Sequence, residues 1–284
     1  MADPDLDQVA SVDTVRWTSR PGENALAFSV QETVISEEPL EIRLVHGDTV
    51  ETVSVTMRTP TDDERLAAGF LFTEGILTDR DQIAKIESHR RNGDHIVDVH
   101  TRSPVTVDPA LRRQFLTSSS CGVCGRALVQ GLFAERGGPI PEGFTVAADR
   151  LLEMPRTLRG SQRLFERTGG LHAAGLFDAT ARPIVVAEDI GRHNAVDKVV
   201  GERFLGGHLP AADLVLQVSG RVSFEIVQKA STAGIPVVAA VSAPSSLAVS
   251  AADRLGITLA AFVRDDHLSV YAHPERVVDQ LSIG

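Results

Sequence analysis

The chain is poor in sulfur and aromatic surface, and it has no long apolar run. Its 284 residues hold two cysteines, one tryptophan and one tyrosine. Two cysteines in so long a chain make no disulfide framework, so reduced, chemically used thiols fit better. Sparse aromatics argue against a stacking platform for single-stranded nucleic acid. A formal net charge of −10 argues against a broad basic surface for any nucleic acid. It leaves room for one phosphate-bearing ligand held by a local basic cluster. No apolar stretch approaches the roughly 20 residues of a membrane span. The start, Met1-Ala2-Asp3-Pro4-Asp5, is acidic and polar, without a basic or apolar signal region. The expectation is a soluble, cytoplasmic protein with no membrane and no nucleic-acid partner.

What is present divides into three stretches. Residues 1–25 are polar and acidic without a clear period, which predicts a mobile leader. Residues 26–145 read as a small α+β unit. Glu41–Val45, Thr52–Met57 and His95–His100 alternate apolar and polar, as half-buried strands do. Thr59–Glu64 opens a helix whose acidic first turn suits the helix dipole, and Gly75 closes it. The Gly/Pro-rich run Glu135–Gly143 is the best boundary in the chain. Beyond it, residues 146–284 alternate strands and helices, with strands at 171–177, 183–187, 214–218, 236–241, 257–262 and 268–271. That alternation predicts an α/β sandwich with a largely parallel sheet. The fold class is therefore α/β, with the small α+β domain first.

In open α/β sheets, ligands gather at the carboxyl ends of strands. Here those ends are crowded with polar residues: Glu188–Asn194, Ser219–Ser223, Ser242–Ser246 and Arg264–His267. Ser/Gly loops offer backbone N–H groups to anions, and Arg192, Arg221 and Arg264 supply positive charge. The bland alternative is that these residues only cap helices, as Ser223 and Ser245 are expected to do. His172, inside an apolar strand, reads as a satisfied core histidine. Glu188 and Asp189 are expected to cap or to pair with Arg192 and His193. Glu225 and Lys229, four apart, read as a solvated helix pair.

Both cysteines lie in Ser118-Ser119-Ser120-Cys121-Gly122-Val123-Cys124-Gly125-Arg126. Two thiols at this spacing can cycle between dithiol and disulfide, hold half a metal site, or carry sulfur. Zinc needs two more ligands, and there is no second C-x-x-C; His172 and His193 do not stand in metal-binding spacing. A thioredoxin-type pair would open a helix directly after a strand, whereas this pair sits in a glycine-flanked loop. Inert burial fits poorly with so much serine and glycine. A nucleophilic thiol on a loop that visits two partners remains, with Arg126 and a following helix favouring the thiolate.

The motifs together resemble the formate dehydrogenase accessory sulfurtransferase family, FdhD. They are Val53–Pro60, Ala67–Gly75, the Ser-Ser-Cys-Gly-x-Cys-Gly loop at 119–125, Glu188–Lys198 and Ser219–Glu225. The resemblance runs from about Glu38 through nearly the whole chain. It implies a C-terminal cytidine-deaminase-like α/β sandwich and a homodimer. It implies a sulfur carrier, loaded as a persulfide on Cys121 by a cysteine desulfurase. The sulfur then passes to the molybdenum (or tungsten) bis-molybdopterin guanine dinucleotide cofactor before that cofactor enters formate dehydrogenase. No catalytic metal is expected. Cys124 either assists by attacking the persulfide or protects the thiol. Cofactor contact maps onto Phe262, Val263, Arg264, Asp265, Asp266 and His267. The loop residues Arg192, His193, Ser219, Arg221 and Ser242 are added from the anion-site reading. The chain departs from the family pattern at two positions: Asp265 stands where glycine is expected, and His267 where arginine is. Two other readings stay open: a chaperone that binds the guanine-dinucleotide cofactor without thiol chemistry, and a zinc hydrolase of the deaminase type.

Overall fold

The structure is a computed structural model and describes residues 8–91, 93–107, 140 and 142–279. Cys121 and Cys124 lie outside the described residues. The chain opens with a two-stranded antiparallel ribbon, β1 (Val9–Thr18) and β2 (Leu26–Ile35). For the described residues 8–25 this corrects the reading of 1–25 as a mobile leader. The Val/Thr-rich run of β1 has the β propensity of a strand, although its interspersed charges hide the pattern.

A four-stranded sheet follows in the order β4-β3-β6-β5. It is built from β3 (Glu38–His46), β4 (Thr49–Arg58), β5 (Ile83–Arg91) and β6 (Asp94–Thr101). β3 turns into β4 through Gly47, whose φ of 57° suits a residue without Cβ. Leu40, Ile42, Val97 and Val99 put one face of this sheet into the core. Helix α1 (Asp63–Thr73) packs there, with Asp63 and Glu64 in its first turn as expected.

The second sheet has six strands in the order β13-β12-β11-β10-β8-β9. They are β8 (His172–Phe177), β9 (Pro183–Asp189), β10 (Val215–Val218), β11 (Val237–Ala240), β12 (Thr258–Arg264) and β13 (His267–Ala272). The sheet is mixed rather than largely parallel. Only β10–β11 and β11–β12 pair parallel, while β8–β9, β8–β10 and β12–β13 are antiparallel. The cause is local. The connections β8–β9 and β12–β13 are turns too short for a crossover helix, so these strands must return as hairpins. Short β7 (Val146–Ala147) pairs with β14 (Val277–Val278) beside the sheet.

Helix α2 (Ala148–Gly160) covers one face of this sheet, burying Leu151, Met154 and Leu158 against Phe177, Val215 and Val263. The short α3 (Arg163–Thr168) follows it. Helices α4 (Arg192–Leu205), α5 (Phe224–Thr232) and α6 (Ser246–Leu255) belong to the other side. The core on that side is continuous with the core under the first sheet, so the two sheets share one interior. The join is the crossing of α1 over α4. A Cβ added at Gly69 would stand 1.8 Å from the Asp197 carbonyl oxygen, and one at Gly201 1.9 Å from that of Arg65. Only glycine allows backbones this close.

Candidate functional site

β8 runs antiparallel to both β9 and β10, so β9 is parallel to β10. The carboxyl ends of β9, β10, β11 and β12 therefore share one edge. The first residue of β8, His172, lies at that same edge, and so does the first residue of β13, His267. Neighbouring strands are about 4.8 Å apart, so the four steps from β9 to β12 make roughly 19 Å. All the polar loops singled out in the sequence emerge along this line.

One end of the line is cationic. Arg192 opens α4, where the helix dipole adds positive potential. Its Nε is buried and has no hydrogen-bond partner among the described residues. Gly220 lies between Arg192 and His172: a Cβ there would be 3.2 Å from His172 Nδ1 and 3.9 Å from Arg192 Cδ. Burial, then Arg192 and Arg221, push the His172 imidazole below its ordinary pKa, so it is neutral near pH 7. His172 is thus no core histidine; it is half-buried among the arginines at the strand end. Its place at the edge follows from β8 being antiparallel, which the apolar run alone did not reveal. Ser219 ties the loop down, since its Oγ accepts from the Ala173 backbone N–H at 2.9 Å. Its hydroxyl proton is free to be given to a ligand.

His193, next on α4, sits 3.1 Å by Nε2 from Ser223 Oγ and 3.9 Å from Glu225. Burial, then the nearby Lys229 and Arg192 charges, lower its pKa to about 4. Burial pushes Glu225 upward, but the Ser223 hydroxyl donating to it, its own backbone N–H and the His193 and Arg192 charges together hold it low. Ser223 thus spends its proton on Glu225 and accepts from His193. That fixes the neutral imidazole with its proton on Nε2 and leaves Nδ1 a lone pair. Ser223 was expected as a cap; it is the N-cap residue of α5, but its side chain makes no capping bond. Ser245 does cap α6, accepting from Ala248 N–H at 3.1 Å.

The other end of the line is less charged. Ser242 is half-buried, and its carbonyl accepts from Phe262 N–H at 3.3 Å. Phe262 has φ 51°, a left-handed conformation that is strained for a phenylalanine. The β12–β13 pairing is irregular here, and the kink places Arg264 5.9 Å from the Phe262 ring. Val263 is fully buried. Asp265 pairs with Arg156 at 3.0 Å, and Asp266 with His267 at 2.6 Å, all on the exposed turn. The candidate residues thus form two groups on one edge: Arg192, His193, Ser219 and Arg221 with His172, and Ser242 with Phe262 and Arg264. The turn residues 265–267 satisfy one another and Arg156.

Several motif residues serve elsewhere. Asp189 and Lys198 are fully buried and paired at 2.7 Å. Asp189 also accepts from Thr59 N–H, Gly191 N–H and Asn194. Glu188 accepts from the Leu164 and Phe165 N–H groups. Neither acid pairs with Arg192 or His193; of the two expected roles Glu188 takes the capping one, because Leu164 and Phe165 lie in the first turn of α3. Lys229 is buried rather than solvated, bonded to Asp197, Glu74 and Thr73. Its partners lie far off in sequence, which is why the i, i+4 spacing to Glu225 misled. Burial raises the Asp197 carboxyl to about 6 despite that ammonium. Among the described residues, no three acidic or histidine side chains group as a metal-binding set.

The model of the FdhD/NarQ family matches residues 35–278. A sulfur carrier protein FdhD of Mycobacterium tuberculosis is 49% identical over 257 residues, covering 87% of this chain and 92% of the relative. One from Thermoplasma volcanium is 46% identical over 256 residues, covering 88% of this chain and 91% of the relative. Among solved structures, a formate dehydrogenase accessory protein from Desulfotalea psychrophila superposes with a TM-score of 0.71 at 27% identity. It is covered completely, and 95% of this chain is used.

Proposed function

The chain belongs to the FdhD/NarQ family, and on that premise we propose that it is a sulfur carrier in formate dehydrogenase maturation. Cys121 takes the sulfur from a cysteine desulfurase. Its thiolate attacks the outer sulfur of the donor's persulfide, an S–S bond forms on Cys121, and the donor cysteine leaves as thiolate. The receiving substrate is the molybdenum or tungsten bis-molybdopterin guanine dinucleotide. Releasing the sulfur as hydrosulfide takes two electrons. Attack of the Cys124 thiolate on Cys121 supplies them, because the Cys121–Cys124 disulfide forms as hydrosulfide is expelled. The carrier works in the cytoplasm as a homodimer.

The observation that carries this reading is the edge itself. A buried guanidinium N–H with no partner among the described residues, beside a glycine loop, the Arg221 side chain and a neutral imidazole, suits phosphate oxygens. The roughly 19 Å between its two groups suits a ligand of dinucleotide length.

Incubation with a cysteine desulfurase and cysteine, read by intact mass spectrometry, is expected to add one sulfur to the wild type and none to Cys121→Ala. An unmodified wild type would overturn the reading. Full maturation of formate dehydrogenase by Cys121→Ala would instead favour a cofactor chaperone whose thiols are incidental.

A further inference from the structure

The ribbon β1–β2 belongs to neither sheet. A free two-stranded ribbon is marginally stable in water, and its outer edges are open to pairing. Of the twelve large apolar side chains exposed among the described residues, six lie on it: Val12, Val15, Trp17, Leu26, Phe28 and Val34. Trp17 is 67% exposed and Leu26 58%. The register sets Val15 and Trp17 on one face, opposite Ser29 and Ala27. Val12, Val34, Phe28 and Leu26 share the other face. Both faces are therefore apolar, and the ribbon leans on its own chain through β2, which meets α3 and, at Ile35, Gly170.

We propose that this ribbon is a dimerisation arm, covered by a second copy of the same chain. The inference deepens the homodimer reading above and rests on it, but it is independent of the sulfur chemistry. Two arguments select the occupant. The first is permanence: a marginal ribbon needs a constant cover, and a second copy is present wherever the chain is. The second is area. The exposed parts of the six side chains amount to roughly 500 Å² per chain, with the aromatic ones at about 150–250 Å² when whole. A two-fold contact in which each ribbon is clasped on both faces uses them twice and reaches the ~1,000 Å² expected of a specific interface.

The test uses the full chain under reducing conditions. Trp17 is the only tryptophan, so its emission reports directly on the arm. Sedimentation is expected to give a dimer with blue-shifted emission that moves to the red on dilution to monomer. Trp17→Ser/Phe28→Ser is expected to weaken association by at least about 100-fold with an unchanged circular dichroism spectrum. Leu247→Ser, at an exposed apolar position elsewhere, should remain dimeric. A wild-type dimer with a water-exposed tryptophan, or a double variant that still dimerises, overturns the arm and leaves the homodimer standing. A wild-type monomer at all concentrations overturns both, and sulfur loading on Cys121 is unaffected by either result.

Discussion

Arg192→Met separates an anion site from a structural arginine. Arg192 has a buried Nε without a partner among the described residues. An unmade buried hydrogen bond costs about 1–3 kcal/mol. Methionine keeps the length of the side chain and removes the polar group. The ligand-free variant is therefore expected to be more stable by about 1–2 kcal/mol, after some loss of packing by the guanidinium. Ligand binding should move the other way. A hydrogen bond to a charged group contributes about 1.5–3 kcal/mol, which is roughly a 10- to 150-fold change in affinity. Urea denaturation in phosphate-free buffer and calorimetric titration with GDP as the probe read the two effects. A third signature follows from His172, whose imidazole is lowered partly by Arg192. Its pKa, followed by NMR, should rise in the variant. A variant that is less stable without ligand yet binds the probe as well as the wild type would refute the argument and make Arg192 structural.

At the crossing of α1 and α4, a Gly69 Cβ would stand 1.8 Å from a backbone oxygen. Gly69→Ala should destabilise by about 3 kcal/mol in urea titrations, although the same change in an open helix usually stabilises. Gly160, with nothing within 4 Å, is the control, and Gly160→Ala should be neutral or stabilising. Lys198→Met strands the fully buried Asp189 carboxylate and should destabilise by about 3–5 kcal/mol by the same measurement. His193 has a folded pKa of about 4 against about 6.5 unfolded, so the unfolded chain binds more protons between those values. Stability is therefore lost as pH falls from 6.5 to 4. The full shift is discounted to about 1–2 kcal/mol because the ring is a third exposed. Buried Asp197, raised to about 6, acts with the opposite sign over pH 4–6. The wild-type minus His193→Gln difference in urea midpoint isolates the histidine, and a flat difference between pH 4 and 7 would refute its assignment.

The sequence made some of this legible and hid the rest for identifiable reasons. Apolar runs such as Pro236–Val241 and Leu214–Val218 announced buried strands because both of their faces are covered, one by α2 and one by the helices opposite. β5 escaped notice because it is an edge strand. Lys85, Glu87, His89 and Arg91 leave it no apolar period, as edge strands commonly lack one. The direction of β8 was readable in principle. Only five residues join it to β9, too few for a crossover. Missing that turn made the sheet seem parallel and buried His172 in the core. The convergence of the loops at one edge survived the error, because β9 through β12 still point the same way. Lys198 and Lys229 could not be placed from local spacing, since their partners Asp189, Asp197 and Glu74 are brought to them by tertiary packing.

The motif Glu188–Lys198 performs two tasks, divided by helical period. Asn194, Asp197, Lys198 and Gly201 face the seam with the first sheet's unit. There Asn194 donates to Met57 O, Asp197 accepts from Thr73, and Lys198 donates to Thr59 O. Thr59 Oγ1 in turn accepts from Ile190 N–H at 3.1 Å, just ahead of Arg192. The first turn of α4 points the other way and carries Arg192 and His193 to the sheet edge. The turn that presents these two side chains is thus held from behind by a different part of the chain. An arginine with an unsatisfied buried N–H would collapse onto the nearest acceptor if its helix could shift. The glycine crossing and the two buried lysine–aspartate pairs prevent that shift. Rigidity at the seam is what keeps the cationic edge open.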